Sequence, residues 1–172
     1  FAQKFPEIHF DIHEGSTFTL KDQLENRVID ITTLRTPIML KGCETRSLAQ
    51  EKLLVMALPT HEIMQQDLQN LTLKALSQYK IILSHRYRQY ILSAFEEKGI
   101  FCDIYCECQD ARTALTLAEN GLGVAVLPAS MQKLTSRDVC REIIDADLTT
   151  EILLAWRKER LPAEVQEFLA IW

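Results

Sequence analysis

Asn120-Gly121-Leu122-Gly123-Val124-Ala125-Val126-Leu127-Pro128 is the stretch on which the fold turns. Val124–Leu127 is apolar throughout and closed by a proline, the pattern of a short strand buried on both faces. The two glycines before it enter that strand from a helix. A phosphate-cradling glycine loop does the reverse, leaving a strand to open a helix. The glycines therefore read as a helix stop. Moving outward, Asp110–Asn120 predicts that helix, with Ala111, Ala114, Leu115 and Ala118 on one side. Phe101–Glu107 predicts a strand. Tyr87–Lys98 predicts a helix with Tyr90, Ile91, Ala94 and Phe95 on one face and Gly99 as its stop. Tyr79–Leu83 predicts another strand. Leu53–Leu58 is apolar on both faces and is broken by Pro59-Thr60-His61-Glu62. Leu71–Leu76 is a short helix-like piece.

The outer parts repeat this order. Ile8, Phe10 and Ile12 alternate with polar residues, which predicts a strand. A helix follows Gly15-Ser16-Thr17, with Phe18, Leu20, Leu24 and Val28 at mostly helical spacing and Ser16 or Thr17 as N-cap. Ile29–Leu34 is a strand stopped at Arg35-Thr36-Pro37. Toward the end come a weaker strand near Val139–Ile144, a strand at Ile152–Trp156 and a helix at Pro162–Ile171. Strand and helix alternate along the whole chain, which calls for parallel sheet covered by helices. The break at residues 59–62 and a change of character near 140–150 suggest two α/β lobes joined by two crossovers.

Composition narrows the class. The 172 residues carry a net charge of −5 and are 47% hydrophobic, enough for a sizeable core and too apolar for a disordered tail. The longest unbroken apolar run, Leu53–Leu58, is far short of the roughly 20 residues of a membrane span, so no membrane partner is expected. Lys and Arg are scattered among carboxylates, which argues against nucleic-acid binding by this chain itself. Cys43, Cys102, Cys106, Cys108 and Cys140 are an odd set with no secretory signal, and read as reduced thiols in a cytoplasmic protein.

Three strand-to-helix corners carry small polar or basic groups: Gly15-Ser16-Thr17, Ser84-His85-Arg86 and Gln109-Asp110. Arg35-Thr36 ends another strand. Hydroxyls, helix-terminal amides and guanidinium groups facing one cleft would favour a small anion. The competing reading is that Ser16 and Thr17 only cap a helix and that the arginines are only solvated. Cys102, Cys106 and Cys108 have C-x3-C-x-C spacing, which is not a zinc pattern, and buried Cys often packs as a small hydrophobe. His9 and His13, four apart on a strand, are poorly spaced to chelate. No metal, cofactor or enzyme chemistry is expected, because no nucleophile elbow, P-loop or dinucleotide motif is present.

Phe5-Pro6-Glu7-Ile8, Glu14-Gly15-Ser16, Leu24, Ile29-Asp30 and Leu34-Arg35-Thr36-Pro37 resemble the start of the effector-binding domain of LysR-type transcriptional regulators. The Asn120–Pro128 stretch resembles that family's glycine-rich segment, and Leu58-Pro59-Thr60-His61 its first crossover. The resemblance covers Phe1 to Trp172. It implies a two-lobed, periplasmic-binding-protein-like (type 2) α/β fold, with mixed, mostly parallel sheets and helices on both faces. Lobe I would be residues 1–58 and 145–172, and lobe II residues 59–144. It implies a small effector held between the lobes by Gly15, Ser16, Thr17, Arg35 and Thr36 from lobe I, and by Ser84, His85, Arg86, Gln109 and Asp110 from lobe II. It also implies side-by-side homodimers, tetramers of the full-length protein, and DNA contact only through a helix-turn-helix absent from this sequence. The first strand of lobe I, with its loop, is absent too, so a gap is expected beside the cleft. The function that follows is ligand-sensing regulation of transcription. The alternative is a solute-binding protein of a transport system with the same fold.

Overall fold

The computed structural model describes residues 1–65, 71–135 and 140–171. The chain forms two compact units. Unit 1 is Phe1–Ala49 with Glu151–Trp172, and unit 2 is Gln50–Thr150. The chain passes between them twice, within strands β2 (Cys43–Met56) and β7 (Thr149–Arg157).

Unit 2 is built around β5 (Val124–Pro128), every residue of which is buried. β5 runs parallel to β3 (Ile81–Ser84), and β3 runs parallel to β4 (Ile104–Cys108). β5 and β6 (Cys140–Glu142) pair antiparallel with β2. Strand alternation sends side chains to two cores. Ile81, Leu83, Val124 and Val126 join Leu53 and Val55 on one face, against α3 (Leu73–Leu76) and α4 (Arg88–Glu97). Ile82, Ala125 and Leu127 join Met56 on the other, against Ala114, Leu115 and Ala118 of α5 (Ala111–Glu119). Tyr87, Ile91 and Phe95, one helical turn apart, fix the buried face of α4. The short α2 (Glu62–Gln65) buries Ile63 in the same core.

The glycines divide their labour. Gly121 ends α5 at φ +80°, where a side chain is strained. Gly123 permits close approach: a Cβ there would lie 2.3 Å from the carbonyl oxygen of Lys80, which accepts the Val124 N–H at 2.9 Å.

Unit 1 pairs β1 (Ile31–Arg35) antiparallel with β7, against α1 (Thr17–Glu25) and α6 (Ala163–Ile171). One small core joins Leu24, Leu34 and Ala155. Another joins Leu154, Trp156 and Leu169. Arg157 ties α1 to β1, donating to the carbonyls of Leu24 (3.1 Å) and Ile29 (2.6 Å) and to the Asp30 carboxylate (2.9 Å).

Three expectations change. Ile8–Ile12 has the alternation of a strand but no ladder partner, and is an extended segment. β2 begins ten residues before the apolar run at Leu53, because its first half is polar and mostly exposed and so carries no strand pattern. The sheets are mixed, but parallel pairing is confined to β3 with its two neighbours. The other pairs involve β2 and β7, whose directions are set by carrying the chain out of one unit and back. The weaker strand near Val139–Ile144 is Cys140–Glu142, with Val139 outside the described residues.

Candidate effector site

In unit 1 the structure brings together two segments that lie 18 residues apart in sequence. Ser16 caps α1, its hydroxyl accepting the Thr19 N–H at 3.1 Å. The next residue, Thr17, is buried, and its Oγ1 accepts the backbone N–H of Arg35 at 3.3 Å. The end of β1 is thereby fastened to the first turn of α1. Thr36 continues the corner through Glu151, donating its N–H to the Glu151 carbonyl (3.0 Å) and accepting the Glu151 N–H on Oγ1 (2.8 Å). Gly15 packs close to Thr19, where a Cβ would meet the Thr19 Cβ at 3.3 Å. The first turn of α1 holds no acidic residue, so no carboxylate of its own neutralises the positive end of the helix dipole. Beside this corner Phe18, Thr36, Pro37, Ile38 and Met39 line an open apolar pocket of about 420 Å³. Sequence reasoning missed this apolar neighbour. Its only signal is Phe18 and Met39, large apolar residues that flank the polar positions and stay exposed.

In unit 2 the parallel pairing of β3 and β4 sets Ser84 beside Cys108, so Ser84-His85-Arg86 and Gln109-Asp110 leave adjacent strand ends. Ser84 is buried, His85, Gln109 and Asp110 are exposed, and Arg86 is half-buried. The Arg86 guanidinium lies 5.9 Å from the centre of the Tyr87 ring. Asp110 is the N-cap of α5, accepting the Arg112 N–H at 2.9 Å.

Sequence reading also missed a carboxylate here. Glu107, one residue before the end of β4, accepts from Arg88 Nε at 2.5 Å and lies 3.3 Å from His85 Nδ1. The Arg88 hydrogen bond, joined by His85, holds the Glu107 carboxyl below its usual range. The signal was a charged residue on a strand with otherwise apolar neighbours. Its effect is to occupy His85 and Arg88 and to place negative charge at this corner. An anion is therefore better served by the corner of unit 1 and by Arg86.

Burial pushes the thiols of Cys102 (to about 11) and Cys108 up, and the two Sγ atoms of Cys106 and Cys108 lie 4.0 Å apart. Raised thiols are weak nucleophiles and poor metal ligands. Among the described residues no group of three or more His, Cys, Asp or Glu could hold a metal ion, and no helix is long and apolar enough to cross a membrane. His13 contacts Asp11 at 3.1 Å and sits on an extended segment instead of a strand.

Two α/β units traversed twice by the chain, with polar corners at strand ends, define a two-lobed ligand-binding fold of the periplasmic-binding-protein type. The chain belongs to the LysR substrate binding domain family, whose model matches residues 1–171. Among its relatives, the transcriptional regulator AlsR of Bacillus subtilis is 25% identical over 99% of this chain and 58% of its own length. BudR of Raoultella terrigena is 23% identical over 100% of this chain and 61% of its own. The chain thus spans about three-fifths of these relatives. Solved structures share the fold. The effector binding domain of QuiR in complex with shikimate aligns with TM-score 0.83 and 20% identity, over 98% of this chain and 81% of that one. The BenM effector binding domain with its effector benzoate gives 0.78 and 21%, over 99% and 82%.

Proposed function

We propose that this chain is the effector-sensing part of a LysR-type transcriptional regulator and has no catalytic role. The effector is a small carboxylate with an apolar body. The observation that carries this reading is the corner of unit 1. An un-neutralised helix N-terminus and the Arg35 segment meet there, beside an apolar pocket. A carboxylate is stabilised by the first two and its hydrocarbon part by the third. Benzoate and shikimate, carried by the neighbouring structures, have this character. Thr17, Arg35 and Thr36, with Gly15 and Ser16 shaping the turn, are the contacts offered by unit 1. Ser84, Arg86 and the Gln109-Asp110 turn, with His85 held by Glu107, are those offered by unit 2. The relatives are named as transcriptional regulators, which favours this reading over solute transport.

The response is a population shift. The effector binds one conformation better than another, and only that difference in affinity can be relayed. The regulator works in the cytoplasm as a homodimer or tetramer and touches DNA through a separate helix-turn-helix. Calorimetric titration of the full-length protein with a panel of small carboxylates, and with their isosteric amides, tests the proposal. Carboxylates bind and amides do not. Arg35→Ala or Arg86→Ala removes a charged hydrogen bond worth about 1.5–3 kcal/mol, a loss of roughly 10- to 150-fold in affinity. Unchanged affinity in both variants, or equal binding of the amides, refutes the assignment.

A further inference from the structure

Unit 1 contains a cavity of about 660 Å³ that none of the candidate effector residues lines. Two segments that line it are residues 8–13 and Ile31–Thr33 of β1. Among the described residues β1 has one strand partner, β7, so its other edge is open. Residues 8–13 are extended and carry strand alternation, yet no backbone bond joins them to β1. Their apolar side chains are left in solvent: Phe10 is 53% and Ile12 81% exposed, and Val28, which also lines the cavity, is 57% exposed. Two strand edges without partners thus border one apolar cavity. Unpaired edges in an apolar setting are costly and are normally covered.

We infer that this cavity is a slot for one further β-strand, supplied by this protein's own polypeptide immediately preceding Phe1. The strand pairs with β1 on one side and turns residues 8–12 into a strand on the other. Its size fits. With strands about 4.8 Å apart, a layer about 10 Å thick and a rise of about 3.3 Å, each strand residue takes roughly 160 Å³, so the slot holds about four residues. Its lining fits an apolar strand, since Ile8, Ile31, Leu154, Val165 and Phe168 all face it. The source fits on two counts. Phe1 itself lines the cavity, so polypeptide preceding it starts at the wall of the slot. The isolated effector binding domains of QuiR and BenM extend beyond this chain, which covers 81% and 82% of them. Domains of this fold therefore carry residues outside the present 172.

Amide hydrogen exchange read by mass spectrometry tests this on the full-length protein and on the 172-residue chain. In the full-length protein the peptides covering residues 8–13 and 31–35 are expected to exchange slowly, independent of protein concentration. In the 172-residue chain the same amides exchange faster by a factor on the order of 100, as unpaired edges do. Fast exchange of both segments in the full-length protein overturns the proposal, and this arm decides even if the shorter chain is insoluble. Equal protection in both proteins also overturns it, because the slot is then closed without the added strand. Protection that rises with concentration assigns the slot to a second copy of the chain and overturns it as well.

Discussion

Replacing Gly123 by alanine tests the packing on which unit 2 depends. Its new methyl would sit 2.3 Å from the Lys80 carbonyl oxygen and 3.1 Å from the Lys80 Cβ. An ordinary carbon–oxygen contact is about 3.3–3.6 Å, so backbone must move by roughly 1 Å. The group that must yield is main chain at the start of β3, and its carbonyl accepts the Val124 N–H at 2.9 Å. Separating the two breaks that bond, at about 1–3 kcal/mol for buried groups left unmatched. Strain of an overpacked core adds about 1–3 kcal/mol. The expected loss is about 2–5 kcal/mol, a large part of a typical domain stability of about 5–15 kcal/mol. Gly121→Ala is the control. Its Cβ would meet only Leu58 at an ordinary 3.6 Å, so the cost is the left-handed backbone alone, about 1–2 kcal/mol. Urea unfolding followed by circular dichroism gives both values if the m-value is unchanged. A Gly123→Ala variant within about 0.5 kcal/mol of the parent, or a more damaging Gly121→Ala, refutes the close-approach argument.

Two further outcomes follow from the charges and thiols. The folded Glu107 carboxyl is held below its usual value of 4.5, chiefly by the Arg88 hydrogen bond, so its stabilising effect is present above that pH and is lost as pH falls through the folded value. Glu107→Gln should therefore cost about 0.2–1 kcal/mol at pH 7, the range of a partly exposed pair, and nothing at pH 3; an equal gap at both pH values by thermal unfolding contradicts the pairing. Burial, aided by Asp103, pushes the Cys102 thiol up to about 11, so at pH 8 iodoacetamide should label it on the order of 100-fold more slowly in the folded chain than in urea; equal rates by peptide mapping show that the thiol is not held back.

Where the sequence was readable, one local rule decided the element. The periodicity of α5, the apolar run of β5 and the glycines between them each follow from neighbours within a few residues. The first half of β2 escaped because its residues are mostly exposed, and exposed strands carry no hydrophobic pattern. Ile8–Ile12 misled for the opposite reason. Its alternation is real, but a strand exists only when another strand takes its hydrogen bonds. The pairing of Arg157 with α1 and β1 spans more than 125 residues of sequence, and no local rule reports it.

The candidate site shows the same division, with a consequence for how it should be probed. Ser16, Thr17, Asp110 and Thr36 were chosen as hydroxyl or carboxylate groups at strand-to-helix corners, and in the structure each is already holding a backbone amide. The functional and structural readings of these residues therefore do not compete. A corner held rigid by its own side chains keeps neighbouring amides and guanidinium groups in place before a ligand arrives, which lowers the ordering cost of binding. Removing such a hydroxyl would disturb the fold and the ligand together. Truncating Arg35 leaves intact the main-chain N–H that Thr17 accepts, because that bond belongs to the backbone. The Arg35 side chain is accordingly the position at which a loss of affinity can be assigned to the ligand and not to the corner that presents it.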